Sequence, residues 1–342
     1  MRAIDVRQPE ADQTPASAEG GDKGRPVRPG PDALFVAEVD RPAPAEGEVL
    51  VRTVAAGVNR ADLLQRQGLY PPPKGTSETI GLEASGVVEQ VGPGVTDWKP
   101  GDEVVALLAG GGYAEFFVAP AGQLVAPPKG VDLVTAATLI EVAATVVSNM
   151  DHVHLAEGET FLVHGGAGGI GTFAIQYAKA LGCRVAATAG TEAKLQHCRD
   201  MGADIALDYH DDWVAGLKDA TDGKGADVIL DIMGAKYLGL NVDAMAKDGR
   251  TVIIGMQGGV KGELNIGKLL NKRATVTATS LRFRSVEQKS EICRRVAEVV
   301  WPMIESGRIK PAPIEQFAFE DAAKAHERLG SGEVTGKLVL VV

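Results

Sequence analysis

The chain has 342 residues, of which 45% are hydrophobic and 23% are charged, and its formal net charge at pH 7 is −10. This length predicts about two domains, each with a core of its own. The negative charge disfavours general binding to nucleic acid or to anionic lipid. With 3 cysteines and no CxxC pair, the sequence favours a reducing, cytoplasmic location over a disulfide framework. It shows neither a signal peptide nor a run of about 18 uncharged apolar residues that would span a membrane.

The first 130 residues predict a small β-rich, barrel-like domain. Residues 1–6 alternate apolar and polar side chains as a strand does. Residues 11–31 are rich in proline, glycine and charge, and this composition predicts a mobile insertion in a long loop. From residue 34 to 128, short apolar runs are separated by turn dipeptides such as Pro93-Gly94. One segment, residues 59–67, has helical spacing instead.

After about residue 130 the pattern changes to alternating helices and strands. Residues 135–150 form a continuous apolar segment of helical length. The predicted strands that follow are residues 160–164, 184–188, 205–208, 228–232, 251–254 and 275–279. The predicted helices are residues 170–181, 194–201, 237–245 and 287–306. Alternation with short connections predicts a doubly wound α/β fold with a parallel sheet.

The tail of the chain has two further strand-like runs. Residues 314–319 and 337–342 flank a predicted helix over residues 320–329. Because these strands suit a β-rich neighbour, we expect them to pair within the first domain. The predicted domains are therefore residues 1–130 with 307–342, and residues 131–306.

A glycine cluster follows the first buried strand of the second domain. It comprises Gly166, Ala167, Gly168, Gly169, Ile170 and Gly171. Glycine permits a tight turn here and lets backbone N–H groups approach a pyrophosphate at a helix N-terminus. The cluster follows a strand and opens a helix, which is the context that a dinucleotide-binding site requires. The sequence therefore predicts such a site.

The end of the second strand bears on which nicotinamide cofactor is bound. An NAD site has an acidic residue about 20 residues past the glycines, where it binds the ribose 2′-OH. This sequence has Gly190 and Thr191 at the strand end, with Glu192 close by. Lys194 follows one turn later and offers a cation, which favours the 2′-phosphate of NADP. The alternative is that Lys194 is an ordinary solvated helix residue.

Several motifs together resemble one known family. In the second half they are Gly158-Glu159-Thr160-Phe161-Leu162, the glycine cluster, and Gln176-Tyr177-Ala178-Lys179. In the first half they are Asn59-Arg60-Ala61-Asp62-Leu63, Gln65-Arg66-Gln67-Gly68, Tyr70-Pro71-Pro72-Pro73, Gly81-Leu82-Glu83-Ala84-Ser85-Gly86, and Ala109-Gly110-Gly111-Gly112-Tyr113-Ala114. On these residues the chain resembles a zeta-crystallin-like quinone oxidoreductase of the medium-chain dehydrogenase/reductase superfamily. It is most similar to the tumour-suppressor-inducible NAD(P)H quinone oxidoreductase subfamily.

The resemblance implies a GroES-like catalytic domain, a Rossmann domain that binds NADPH, an active site in the cleft between them, and a homodimer. It implies that Thr145 lies beside the nicotinamide and that Tyr209 lines the adenosine end near Lys194. The segments implied to line the cofactor site further on are Gly255, Met256 and Gln257, and then Ser280, Leu281 and Arg282. For two of these residues a role outside the cofactor site is the alternative: Tyr209 covers the sheet edge, and Arg282 is a surface charge.

Two departures bear on chemistry. The subfamily usually has proline at the position of Ile140 and a bulky aromatic residue at that of Ala143. The alanine implies a roomier or differently shaped substrate pocket. At the positions of zinc ligands in related alcohol dehydrogenases stand Asn59 and Leu82, which supply neither a thiolate nor an imidazole. We therefore expect no metal.

Without a Lewis acid, oxidation of a simple alcohol is disfavoured. A quinone is already electrophilic, so the protein mainly has to hold it against the nicotinamide and exclude water. We expect Asn59 to hydrogen-bond a substrate oxygen, and Tyr70 to stack on a ring or to donate its hydroxyl. The leading hypothesis is NADPH-dependent quinone reduction. The alternatives are an NADPH-dependent enone or enal double-bond reductase, and an NADPH-binding structural or sensing protein with little turnover.

Overall fold

A computed structural model describes residues 1–7 and 28–342, and it divides into two compact units. The first unit comprises Met1–Pro127, Val131–Glu141 and Ile314–Val342, and the second comprises Pro128–Gly130 and Val142–Pro313. Most of the predicted insertion at residues 11–31 lies outside the described residues. At its described end, the Pro29 carbonyl accepts a hydrogen bond from Arg66 Nε at 3.2 Å.

The described residues form the following strands and helices. The strands are β1 (Arg2–Val6), β2 (Leu34–Glu38), β3 (Glu48–Val58), β4 (Glu83–Val91), β5 (Glu103–Leu107), β6 (Phe116–Pro120), β7 (Leu124–Val125), β8 (Thr160–His164), β9 (Arg184–Ala189), β10 (Ile205–Asp208), β11 (Ala226–Asp231), β12 (Met245–Ile253), β13 (Thr275–Ala278), β14 (Ile314–Ala318) and β15 (Lys337–Val341). The helices are α1 (Arg60–Arg66), α2 (Leu133–Ala136), α3 (Ile140–His152), α4 (Gly169–Ala180), α5 (Glu192–Asp200), α6 (Trp213–Ala220), α7 (Leu238–Ala244), α8 (Ile266–Lys272), α9 (Val286–Glu305) and α10 (Ala322–Gly330).

The first unit is built on a seven-stranded sheet. Its order is β14-β15-β3-β4-β5-β7, and β6 pairs with β3. The pairs are antiparallel except for β14 with β15. The tail strands pair within this sheet, as expected, because Leu338 of β15 lies opposite Val58 of β3. Apolar side chains such as Val49, Val104 and Phe117 fill the core.

The second unit contains the parallel sheet that the sequence predicts. Its order is β10-β9-β8-β11-β12-β13, and every pair is parallel. Numbered along the chain, this is the order 3-2-1-4-5-6 of a doubly wound dinucleotide-binding sheet. Every residue of β8 and β11 is buried. Such strands read as continuous apolar runs because helices cover both faces of the sheet.

Some elements differ from the sequence prediction. The apolar segment 135–150 is not one helix, since α2 ends at Ala136 and α3 begins at Ile140. Asp132 caps α2 by accepting from Thr135 N at 3.0 Å, and the Glu83 carboxylate accepts from Glu141 N at the start of α3 at 3.0 Å. Only Ala136 of α2 is buried, whereas residues 142–150 of α3 are all buried. Apolar residues continue on both sides of the break, so the sequence pattern does not mark it.

Two short helices, α6 and α8, were missed. No residue of α8 is buried, so it lacks the apolar stripe that predicts an amphipathic helix. None of the helices in residues 1–7 and 28–342 has both the length and the apolar character needed to cross a membrane. The homodimer and the cytoplasmic location remain predictions.

Candidate functional site

The turn between β8 and α4 is packed so closely that some of its residues have no room for a side chain. Gly165 has φ 70°, in the left-handed region that favours glycine. A Cβ on Gly166 would lie 2.6 Å from Cys198 Sγ, and a Cβ on Gly171 would lie 2.4 Å from the Gly165 carbonyl oxygen. These two positions therefore need glycine. A Cβ on Gly168 would meet nothing nearer than 3.6 Å, so this glycine faces open space.

The N-terminus of α4 is open to an anion. Its N-cap is Gly168, which has no side chain to accept from the first-turn N–H groups, and Gly168 is exposed. The first N–H groups of a helix have no partner within the helix, and they carry the positive end of its dipole. A diphosphate can accept hydrogen bonds from these N–H groups and is attracted by the positive end of the dipole. The open N-terminus of α4 at Gly168 therefore fits the dinucleotide that the sequence predicts.

The ends of β9 and β10 lie together beside this turn. Thr191 caps α5 by accepting from Lys194 N at 3.3 Å, and Lys194 is partly buried one turn into the helix. Tyr209 lies over Gly190, because a Cβ there would be 2.2 Å from the phenol carbon Cζ. Tyr209 is 44% exposed, so it covers the end of β9 with one part of its surface and presents the rest to solvent. Gly190, Thr191, Lys194 and Tyr209 thus line one stretch of the sheet edge.

Glu192, which directly follows Thr191, is paired with another residue of α5. Its Oε1 accepts from Arg199 Nη1 at 2.7 Å on the surface of α5. In an NAD site the carboxylate of such an acid would instead accept a hydrogen bond from the ribose 2′-OH. This ion pair is exposed, so it contributes little to stability.

The ends of β12 and β13 form the other side of the sheet edge. A Cβ on Gly255 would lie 2.7 Å from the Ile232 carbonyl oxygen, and Gln257 N donates to the same oxygen at 3.2 Å. Met256 is exposed, with 61% of its surface accessible. Arg282 is 4% exposed, so the alternative that it is a surface charge is wrong.

Thr145 is joined to this edge through a residue that the sequence analysis missed. Asn149 Nδ2 donates to the Thr145 carbonyl at 2.7 Å, and Asn149 Oδ1 accepts from Thr279 Oγ1 at 2.6 Å. Asn149 lies one turn after Thr145 on α3. This bridge holds α3 against the residue that precedes Ser280. Helical spacing from Thr145 was the only sequence sign of it.

Within the first unit, three strand ends bring Asn59, Glu83 and Lys337 together. Lys337 Nζ donates to Asn59 Oδ1 at 2.5 Å and to Glu83 Oε1 at 2.6 Å. Asn59 Nδ2 donates to Glu83 Oε1 at 2.9 Å. All three are buried. Since an ammonium can only donate, Lys337 fixes the Asn59 amide with its oxygen inward and its NH₂ as the donor.

Glycine makes room for this cluster, since a Cβ on Gly57 would lie 2.3 Å from Glu83 Oε1. Sequence reasoning predicted Asn59 but missed Glu83 and Lys337, because Lys337 is 278 positions from Asn59. Tyr70 lies in the irregular segment after α1 and is partly exposed.

A second buried chain of polar groups lies in the same unit. Asp62 Oδ2 accepts from Asn59 N at 2.7 Å and from the Tyr113 hydroxyl at 3.4 Å. The Tyr113 hydroxyl lies 3.3 Å from His326 Nε2, and Arg66 Nη1 lies 3.2 Å from His326 Nδ1. Because Arg66 can only donate, Nδ1 is the acceptor and Nε2 carries the proton. Neutral His326 and the phenol thus donate in sequence toward the carboxyl group.

Burial shifts the ionisation of both ends of this chain. It raises the pKa of Asp62 to about 7, against opposing hydrogen bonding from Asn59. It lowers the pKa of His326 to about 3, and the nearby Arg66 charge adds to this. Desolvation penalises the charged form of each group. The folded state therefore favours neutral side chains at both positions.

The described residues do not fit a zinc ion. Among residues 1–7 and 28–342, no group of three His, Cys, Asp or Glu side chains is placed to hold a metal. Glu83 is already paired with Lys337. The three thiols Cys183, Cys198 and Cys293 are buried, and burial raises their pKa values to about 11, about 11 and about 12. Zinc binds thiolates rather than thiols.

Comparisons with known proteins agree with this architecture. Residues 45–129 match the family model "Alcohol dehydrogenase GroES-like domain", and residues 169–297 match "Zinc-binding dehydrogenase". A quinone oxidoreductase of Pseudomonas aeruginosa is 34% identical over 316 residues, which are 91% of this chain and 96% of the relative. A 2-haloacrylate reductase of Burkholderia sp is 30% identical over 321 residues, 91% of this chain and 96% of that protein. The crystal structure of Escherichia coli quinone oxidoreductase complexed with NADPH has a TM-score of 0.84 at 30% identity and covers 100% of both chains.

A GroES-like unit and a doubly wound sheet with a glycine turn define a nicotinamide-dependent oxidoreductase. The chain belongs to the quinone oxidoreductase family of the medium-chain dehydrogenase/reductase superfamily. The fold class and the family predicted from the sequence are thus confirmed. The subfamily remains a prediction.

The pKa shifts of Asp62 and His326 predict opposite pH dependences of stability. Between about pH 4 and 7, folded Asp62 holds a proton that the unfolded chain releases, so its stabilising contribution is lost as the pH rises. Between about pH 6.5 and 3, unfolded His326 binds a proton that the folded state excludes, so its contribution is lost as the pH falls. Near pH 5 the two slopes oppose each other, each approaching about 1.4 kcal/mol per pH unit.

When either Asp62 or His326 is replaced, the pH dependence of stability that comes from the other one is no longer opposed. With Asp62→Asn we expect the free energy of unfolding to fall more steeply on acidification from pH 6.5 to 4.5 than in the parent protein. With His326→Gln we expect the reverse. Urea unfolding at each pH measures both. Two variants whose stability curves run parallel to the parent curve would show that the groups ionise normally.

Proposed function

We propose that the protein is an NADPH-dependent quinone oxidoreductase that transfers reducing equivalents from NADPH to a quinone without zinc. The observation that carries the proposal is the open N-terminus of α4 at a glycine turn, within a fold shared with named quinone oxidoreductases. NADPH, when bound, supplies reducing equivalents at the nicotinamide. The residues of the chain bind it, orient it and limit access of water.

In this proposal the sheet edge of the second unit holds the cofactor in three parts. The diphosphate takes the backbone N–H groups of the turn from Gly166 to Gly171. The adenosine lies at Gly190 and Tyr209, and its 2′-phosphate takes Lys194 and the Thr191 hydroxyl. The nicotinamide end takes Thr145, the segment 255–257 and the segment 280–282. Support for the phosphate assignment comes from Glu192, the acid next to Thr191, whose carboxylate is already paired with Arg199.

Asn59 is the proposed substrate donor. Lys337 and Glu83 fix the orientation of its amide: the oxygen accepts from Lys337, one N–H donates to Glu83, and the second N–H is proposed to donate to a quinone oxygen. A hydrogen bond from this NH₂ stabilises the negative charge that develops on that oxygen during reduction. Tyr70 is proposed to stack on the quinone ring or to donate its hydroxyl.

Quinone reduction suits this set of residues. A quinone gains aromaticity when it accepts electrons, so it needs positioning more than a Lewis acid. The described residues offer an amide donor at Asn59 and no zinc ligand set. Whether electrons pass singly or as a hydride is a property of the acceptor as well as of the protein, and the proposal covers both.

One observation favours a second candidate function. The Burkholderia relative is named a 2-haloacrylate reductase, and its reaction name describes reduction of an activated double bond. The same amide donor would polarise the carbonyl of an enone or enal, and hydride would then add to the β-carbon. The third possibility from the sequence is an NADPH-binding protein with little turnover.

A substrate panel separates these functions. We expect NADPH oxidation, followed at its near-ultraviolet absorbance band, to depend on added ortho- or para-quinone. Product analysis with an α,β-unsaturated ketone tests the second candidate, for which saturated ketone is the product. Tight NADPH binding with no turnover on any acceptor would indicate the sensing protein. No quinone-dependent consumption of NADPH or NADH would contradict the proposal.

A variant of Asn59 tests its role as the hydrogen-bond donor to the quinone. Asn59→Leu keeps the side-chain size and removes the NH₂ group together with the oxygen that accepts from Lys337. In the folded variant kcat/KM for quinone is expected to fall ~10- to 100-fold. NADPH affinity is expected to stay near the parent value. A fall in kcat/KM with unchanged cofactor binding assigns the loss to the acceptor.

The cofactor preference makes a separate prediction. Lys194→Ala is expected to raise KM for NADPH ~10- to 100-fold and to leave KM for NADH nearly unchanged, because only NADPH has the 2′-phosphate that a cation contacts. Steady-state kinetics with each cofactor measure this. Lys247→Ala, on an exposed part of β12, is the matched control. Equal effects of Lys194→Ala on the two cofactors would contradict the assignment.

A further inference from the structure

Beneath the glycine turn lies a buried chain of four polar side chains that no part of the proposed function uses. It consists of His164 at the end of β8, Thr188 in β9, Asn241 in α7 and Asp231 at the end of β11. Each is at most 1% exposed. His164 and Thr188 are partners in the register of β8 with β9. The chain thus crosses three adjacent strands of the parallel sheet at one level.

The hydrogen bonds of this chain can run in one direction only. Asn241 Nδ2 donates to Asp231 Oδ2 at 2.9 Å, so Asn241 Oδ1 is the acceptor toward His164 Nε2 at 2.8 Å. Nε2 must then carry the imidazole proton, and Nδ1 must accept. The Thr188 hydroxyl donates to Nδ1 at 3.0 Å. Its oxygen is left to accept from Gly165 N at 3.3 Å.

Both ends of the chain are backbone N–H groups in loops that follow strands of the parallel sheet. At one end, Gly165 N is the first N–H of the glycine turn. At the other end, Asp231 Oδ1 accepts from Met233 N at 2.5 Å and from Gly234 N at 3.2 Å. Gly234 has φ 70° and is packed under the segment that contains Gly255, whose carbonyl oxygen would be 3.1 Å from a Cβ on Gly234. The chain therefore links the turn after β8 to the loops after β11 and β12.

The imidazole is held neutral by its surroundings. Its ring lies edge-on to Trp213 and Tyr237, with ring centroids 4.9 and 4.7 Å away. This apolar enclosure lowers the pKa of His164 to about 4, although the hydrogen bond with Asn241 opposes the shift. A neutral ring has one donor and one acceptor nitrogen, which is what the chain requires.

An apolar core would be the simpler solution at this level of the sheet. The residues just below, such as Leu162, Ala186 and Ile229, are apolar and fully buried. Buried polar groups cost free energy unless every one is hydrogen-bonded, and a fully bonded network specifies a single arrangement. What this network specifies is the position of three backbone N–H groups at the carboxyl edge of the sheet.

We propose that His164, Thr188, Asn241 and Asp231 are positioning residues that set the glycine turn and the loop after β11 in the geometry that receives the dinucleotide. The inference rests on the proposed function, since it concerns the same cofactor. The network acts on the turn that takes the diphosphate, and NADPH and NADH share that group. Its loss therefore weakens both cofactors, unlike the loss of Lys194.

Thr188 gives the sharpest test because it has both an isosteric and a conservative replacement. Thr188→Val keeps the shape and removes the hydroxyl, so Gly165 N and His164 Nδ1 both lose their partner. We expect the dissociation constants of NADPH and NADH to rise equally, by about tenfold, in calorimetric titration of the folded variant. Thr188→Ser keeps the hydroxyl and is expected to restore both affinities to within about threefold of the parent.

A second measurement uses the parent protein and needs no cofactor. The ¹⁵N shifts of His164, assigned with His164→Gln, are expected to show a neutral ring protonated at Nε2 at pH 7. Protonation at Nδ1, or a charged ring, would overturn the inference, as would unchanged affinity in folded Thr188→Val. If Thr188→Val does not fold, Asn241→Leu interrupts the same chain and carries the same expectation. A parent protein that binds neither cofactor would overturn the proposed function and this inference together, whereas parent binding with unchanged variants would overturn this inference alone.

Discussion

The fold of the second unit depends on how closely the backbone approaches itself after β8. The chain leaves the sheet at His164 and begins α4 at Gly169. At Gly166 and Gly171 no Cβ can be accommodated, because backbone and side-chain atoms lie within 2.4–2.6 Å of where it would be. This packing aims the N-terminus of α4 outward at Gly168, where no side chain competes with an anion. The ends of β9, β11 and β12 are then arranged around that opening.

Both units stabilise their strand ends with buried polar groups that hydrogen-bond to one another. In the first unit, an ammonium at Lys337 faces the Glu83 carboxylate and fixes the amide of Asn59. In the second unit, a neutral imidazole at His164 lies in the middle of a hydrogen-bond chain that runs from Asp231 to the glycine turn. Breaking such a network leaves a buried group unsatisfied, which costs more than the bond itself contributes. Polar networks of this kind fix one geometry where apolar packing would tolerate several.

The sequence predicts the parts of this molecule that have a local pattern. The strands 160–164 and 205–208 match β8 and β10 to the residue, because turn residues bound each short apolar run. The glycine turn was found because its spacing is dictated by a close approach that occurs within a few residues. The break between α2 and α3 was missed because it depends on Glu83, far away in the chain. Lys337, Asp231 and the pair of Arg66 with His326, 260 positions apart, leave no local pattern either. Arg282 shows the same limit, since a buried arginine and a surface arginine look alike in sequence.

The claim on which the account depends is that the open side of the glycine turn receives the diphosphate of the nicotinamide cofactor. Isothermal titration of NADPH into Gly168→Val tests it most directly, because a side chain there meets no protein atom closer than 3.6 Å and so leaves the fold intact. Gly239→Val, at an exposed glycine of α7 with no atom within 4 Å of its Cβ position, is the matched control. The account predicts that Gly239→Val binds NADPH like the parent protein and that folded Gly168→Val shows no measurable binding. Parent-like NADPH binding by Gly168→Val would contradict it.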